Sequence, residues 1–196
     1  MKKYSLLFIF CIEFASYSQV SQKSMLYGLF FAKGYSKEIS IYRAKSFIMS
    51  NVLGLSGDAQ LFTIEALAAA GGGELTSLFY NCPQKNKSGL ILGFYNDYWN
   101  DNGVTYQGYK FKDIPKERAI ELFNRIDSLG SQNDSFLNKD RDNNVFFTYE
   151  DLTFLLYNGW SQGSPIRIFY NGFDVEWDAI AYRRSEDRFL KKIEPK

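Results

Sequence analysis

Apolar and polar positions are most clearly patterned between residues 74 and 112, where three runs are separated by turn-forming residues. Leu75 to Tyr80, Gly89 to Tyr95 and Val104 to Phe111 each have the length and composition of a β-strand. Leu90-Ile91-Leu92-Gly93-Phe94 is apolar without a break, the pattern of a central strand covered on both faces. Pro83 to Ser88 supplies one turn and Asn100-Asp101-Asn102-Gly103 the next, since Asn-Gly tolerates positive φ at both positions. A two-residue turn at Asn102-Gly103 fixes a register by counting outwards. Trp99 then stands opposite Tyr106, Asp97 opposite Gly108, Tyr95 opposite Lys110 and Phe94 opposite Phe111. This register gives the hairpin a core face of Leu90, Leu92, Phe94, Tyr109 and Phe111. The other face carries Tyr95, Asp97, Trp99, Tyr106 and Lys110, gapped by Gly93 and Gly108.

The flanking segments are less uniform. Met25 to Ala32 is an apolar run of strand length, and residues 39–47 alternate in a way that favours strand slightly over helix. Residues 59–70 fit both periods: Leu61, Ile64, Leu67 and Ala68 at helical spacing, Phe62, Ile64, Ala66 and Ala68 at strand spacing. Gly71-Gly72-Gly73 as a hairpin loop favours the strand, paired with 75–80. Ala119, Leu122, Phe123 and Ile126 form a helical stripe, with Asp113 as cap, Pro115 in the first turn and Gly130 as stop. Residues 131–144 are polar, and 145–157 admit strand or helix. Pro165 to Asp178 reads as a hairpin about Asn171-Gly172, and Ser185 to Ile193 as a capped helix.

These elements predict an α+β fold: a mainly antiparallel sheet, with a meander around 59–112 and a hairpin at 165–178. Helices near 114–129 and 185–193 pack on one face. Residues 1–18 resemble a secretory leader of the Gram-negative bacterial type. Lys2 and Lys3 precede the short apolar run Tyr4 to Ile12, and Ala15, Ser16 and Ser18 suit a peptidase. The run falls short of the roughly 20 residues that cross a bilayer. The expectation is a single domain over 19–196, secreted or periplasmic, with no integral membrane segment in the mature chain.

Composition then narrows the chemistry. An aromatic content of 18% favours sheet, and a formal charge of +1, falling to zero once the leader is removed, offers no attraction to nucleic acid. The chain has no histidine, which removes triads, histidine-ligated zinc and the usual neutral-pH base. Without the leader's Cys11, Cys82 is alone, so no internal disulfide forms, and a buried inert thiol is the expectation.

Three groupings remain. Asp174, Glu176 and Asp178 share a strand face, as the paired carboxylates of a small hydrolase would. A solvent-facing ladder neutralised by Arg183, Arg184 and Arg188 gives the same pattern. Asn138, Asp140, Asp142 and Asn144 resemble the start of a calcium loop, which would make the chain a calcium-stabilised module. However, a start at Asn138 puts Tyr149 at the twelfth position, and a start at Asp140 puts Val145 at the sixth, where glycine belongs. Tyr95, Asp97, Trp99, Tyr106 and Lys110 could bind a glycan or a protein, unless they pair with one another or lie under the N-terminal segment. No cofactor is expected. The leading expectation is an exported, non-catalytic binding domain.

Overall fold

The computed structural model describes residues 41–99, 105–160 and 163–194, and of 97–99 and 105–107 the backbone alone. The leader, the run Met25 to Ala32 and the Asn102-Gly103 turn lie outside the described residues. Residues 47–196 form one compact unit and 1–46 another. Residues 41–47 are helical, so the strand favoured for 39–47 is incorrect. Alternation over so short a stretch does not separate the two periods.

Within the larger unit the fold is α+β, with two four-stranded antiparallel sheets, each a simple meander. The first comprises β1 (Thr63–Ala69), β2 (Leu75–Cys82), β3 (Lys87–Trp99) and β4 (Thr105–Pro115). Helix α1 (Lys116–Gln132) and the short α2 (Asp134–Leu137) follow. The second sheet comprises β5 (Asn144–Tyr149), β6 (Leu152–Tyr157), β7 (Ile166–Tyr170) and β8 (Phe173–Trp177), followed by α3 (Ala179–Ile193). Four strands and a long helix therefore occur twice in succession. Residues 59–70 supply a strand as expected, and 145–157 a hairpin whose turn holds Glu150 at φ 54°. The Asn171-Gly172 turn has φ of 49° and 84°, the two positive values that a tight primed hairpin turn requires.

The centre of the first sheet, in β2 and β3, is buried on both faces, as the unbroken apolar run in β3 implies. Leu90, Leu92 and Phe94 point into the main core, whereas Ile91 and Tyr95 point the other way and are also buried. Phe47 and the π-helical turn Ile48–Leu53 belong to the second side: Phe47 lies 5.5 Å from the Phe111 ring, and Lys87 donates to the Val52 carbonyl. Gly89 is required here, because a Cβ would come within 2.5 Å of the Ile114 carbonyl and 2.9 Å of the Tyr80 ring.

Both long helices lie on the opposite face of this sheet, α1 along β3 and β4 and α3 along β1 and β2. Phe123 of α1 joins the layers, its ring 5.7 Å from Phe189, 5.9 Å from Tyr182 and 6.1 Å from Trp177. A bulge at Leu67 breaks the β1–β2 ladder, and the Ala68 amide donates to Ser77 Oγ instead. Ser77 Oγ lies 2.6 Å from Ser185 Oγ, and the two hydroxyls also reach the Ala68 and Ala181 carbonyls respectively. Ser185 is thus a fully buried core residue. It is not the cap of the last helix, which begins at Ala179 with Asp178 as cap. Similarly, Pro115 and not Asp113 stands at the α1 boundary, and α1 continues through Gly130 to Gln132.

Gly130 survives within a helix because Trp160 occupies its side-chain space: a Cβ would fall 2.3 Å from the indole ring. Gly130→Ala is expected to destabilise the protein by about 1–3 kcal/mol. An open helical site would instead gain up to about 1 kcal/mol. Urea unfolding of the two proteins measures the sign.

Candidate functional site

The ring-bearing face expected on the β3–β4 hairpin is not assembled in that form. Trp99 pairs with Thr105, Tyr98 with Tyr106, Asp97 with Gln107, Tyr95 with Tyr109 and Phe94 with Lys110. This register is one residue away from that of a two-residue Asn102-Gly103 turn, and a slip of one exchanges the faces of a whole strand. By register, Tyr95, Asp97 and Trp99 stand with Tyr109 and Phe111, and Tyr106 and Lys110 alternate with them. Tyr95 is 7% exposed, edge-on to Phe111 at 5.9 Å. Lys110 is exposed. The side chains of Asp97, Trp99 and Tyr106 lie outside the described residues.

The acidic row on β8 is as the alternation predicts, with Asp174, Glu176 and Asp178 outward and Val175 and Trp177 buried. Each carboxylate has a defined neighbour. Arg167 on β7 makes a forked contact with Asp174 at 2.6 and 3.2 Å and lies 3.9 Å from Glu176. Glu176 accepts from the Tyr157 hydroxyl at 3.1 Å; burial first, then this carboxylate, push the Tyr157 hydroxyl up to about 12. Asp178 accepts from Ala181 N and from Gly71 N, both at 2.8 Å, so one carboxylate caps α3 and ties down the β1–β2 loop. Glu176 and Asp178 also line a cleft of about 720 Å³, with Glu74, Arg167, Ile180 and Arg184 around it. The neutralising arginine is Arg167. Arg183 binds Asp127 and Glu186 instead, and Arg188 binds the Leu67 carbonyl.

The loop containing Asn138, Asp140, Asp142 and Asn144 is bonded within itself. Asp140 Oδ1 accepts from Asp142 N, and the Asn144 amide donates to the Asp142 carbonyl. Among the described residues no group of three or more Cys, Asp or Glu side chains is placed to hold a metal ion. Cys82 is buried.

A smaller pocket of about 290 Å³ lies where β4 meets α1, lined by Tyr80, Lys87, Ser88, Asp113, Lys116 and Glu117 among others. Burial raises the Asp113 carboxyl above its ordinary value, although the Tyr80 hydroxyl beside it acts the other way. Glu117 is held down, first by its own backbone N–H and then by Lys116.

The outer face of the second sheet is partly exposed. One row across it runs Phe146, Leu155, Arg167 and Glu176, and the next Thr148, Thr153, Phe169 and Asp174. Phe146 is 71% exposed and Phe169 39%. The β5–β6 side of this face mixes Phe146 and Leu155 with threonines, and the β7–β8 side adds Phe169 to one arginine and two carboxylates. Beneath it, Phe147 stacks on Phe154 at 5.0 Å. The sequence signal for this face is the inward set Val145, Phe147 and Tyr149, which turns Phe146 outward once 145–157 is read as strand. Ile166 and Ile168 turn Phe169 outward in the same way.

No protein-family model, curated protein or solved structure matches the chain. Among the described residues no helix is long and apolar enough to cross a membrane.

Asp178 thus serves the fold, whereas Asp174 serves an exposed ion pair. Asp178→Ala is expected to cost about 1–3 kcal/mol, from the lost cap and the stranded Gly71 N–H. Asp174→Ala should cost no more than about 1 kcal/mol. Equilibrium unfolding of both variants in urea makes the comparison.

Proposed function

We propose that the chain is an exported, non-catalytic domain that binds a protein partner through the outer face of its second sheet. The observation that carries this reading is the exposure of Phe146 and Phe169, on the same face of the sheet as Leu155. Exposed phenylalanine grouped on a regular sheet costs solubility and is characteristic of an interaction surface. The flanking charges fit the polar rim of such a surface: Arg167 pairs with Asp174 and lies near Glu176, which leaves one negative charge over.

The identity of the rings favours protein over glycan. Phenylalanine brings apolar area without a polar edge, and Tyr157, the tyrosine of this face, has its hydroxyl engaged by Glu176. The engagement of Asp174, Glu176 and Asp178 with Arg167, Tyr157, Ala181 and Gly71 also favours binding over carboxylate-dependent hydrolysis. Export is supported by the Lys2-Lys3 start, the apolar run and the small residues before Gln19.

The test uses the mature chain as bait against an envelope extract of the source cell, with Phe146→Ala and Phe169→Ala beside Leu55→Ala, which changes an exposed apolar residue elsewhere. A partner retained by the wild type and by Leu55→Ala, and weakened about fivefold or more by each phenylalanine variant, supports the reading. Equal retention by all four proteins, with unchanged circular dichroism, refutes it.

A further inference from the structure

Away from both clefts, α1 and α3 meet at a group of ionisable side chains that nothing described so far uses. Asp127 of α1 accepts from the Tyr182 hydroxyl at 3.0 Å and from Arg183 Nη1 at 2.8 and 3.0 Å. The same Arg183 nitrogen reaches Glu186 Oε2 at 3.0 Å. Two carboxyl groups, of Asp127 and Glu186, thus meet at one guanidinium nitrogen. Two like charges brought this close to one cation disfavour each other, and a proton on one of them relieves the repulsion. The Arg183 guanidinium lies over the Trp160 ring, 5.2 Å from its centre, which fixes it on this side of the helices. The Glu186 side chain is 13% exposed and that of Asp127 33%, so water screens the pair weakly.

We propose that Glu186, set against Asp127 on one guanidinium, holds a proton at neutral pH and releases it to solvent as the pH rises, making the contact between the two strand–helix halves pH-sensitive. With the proton bound, two carboxyl groups carry one negative charge against one guanidinium, and the site is balanced. Without it, two adjacent carboxylates share a single cation in a poorly hydrated place, and the helices repel.

The charged or titratable groups facing Glu186 are Asp127 from α1 and Tyr182 and Arg183 from α3. Burial, and after it the Asp127 charge, push the Glu186 carboxyl up to about 7 from an ordinary 4.5, with Arg183 opposing. The folded state therefore keeps its proton where the unfolded chain has lost it. Stability from this source is complete below the unfolded value and is lost as pH rises through about 7. The sequence makes the effect easy to isolate: with no histidine, no side chain of ordinary pKa titrates across this window.

Thermal unfolding followed by tryptophan fluorescence between about pH 5 and pH 8 tests the proposal. The wild-type midpoint is expected to fall by about 4 °C or more across that range. Glu186→Gln, which keeps the shape and mimics the protonated form, should flatten the dependence and exceed wild type in midpoint at the alkaline end. Asp127→Asn should flatten it as well, and decides the matter by the same criterion if Glu186→Gln does not fold. Asp113→Asn, which alters the other carboxyl raised by burial, should leave the slope in place. A flat wild-type profile, a full slope in Glu186→Gln, or loss of the slope in Asp113→Asn instead would overturn the proposal.

Discussion

The structure depends on β3 being covered on both faces. A strand reading Leu-Ile-Leu-Gly-Phe cannot face water on either side without exposing large apolar groups, so the first sheet must be sandwiched. On one side the apolar stripes of α1 and α3 provide the cover, with Phe123 bridging them to Trp177 of the second sheet. On the other, Phe47 and the turn Ile48–Leu53 do so. Both glycines of β3 follow from this crowding. Gly89 admits the Tyr80 ring, and a Cβ at Gly93 would stand 2.7 Å from Thr76 Oγ1 and 3.1 Å from the Phe111 ring.

The same crowding decides how polar side chains are used. Ser77 and Ser185 exist at the sheet–helix contact because a bulge at Leu67 frees an amide that must be satisfied inside the core. Asp178 stands where a strand, a helix start and a glycine loop converge, and each of its two oxygens takes one backbone amide. Tyr149 donates to the Arg118 carbonyl on α1 from the second sheet, while Arg118 stacks on its ring at 4.7 Å. Many of the acids and arginines that composition leaves open for chemistry are in fact clips between layers.

Most of the architecture could be read from the chain, because alternation and turn chemistry act locally. The three strands of the meander, the α1 stripe, the Asn171-Gly172 hairpin and the outward set Asp174, Glu176 and Asp178 all follow from such rules. What failed did so where distant contacts override local preference. Gly130 reads as a helix stop, but Trp160, thirty positions later, fills its space and the helix continues. Ser185 reads as a cap, but its partner is Ser77, and the true cap is a residue already assigned to a strand. The hairpin register rested on one assumed turn length, and a slip of one residue redistributed five candidate binding residues over two faces. The Asp127–Glu186 pair has no sequence signature at all, since its members lie 59 positions apart on two helices.

The two halves repeat one order of elements yet bury their sheets differently, and that inequality locates the surface most in need of explanation. In β3, consecutive residues from Leu90 to Tyr95 are all buried. In β6, Leu152, Phe154 and Leu156 are buried while Thr153, Leu155 and Tyr157 are only half so. A sheet with one solvated face ordinarily carries polar residues there, and β8 complies with Asp174 and Glu176. β5 does so only in part: between exposed Asn144 and Thr148, Phe146 stands outward on a strand that is terminal among the described residues, where an exposed ring invites association. Folding alone gives no reason to place phenylalanine there, because a threonine at that position would serve the strand equally well and spare the solubility cost. The partner contact proposed above would supply that reason.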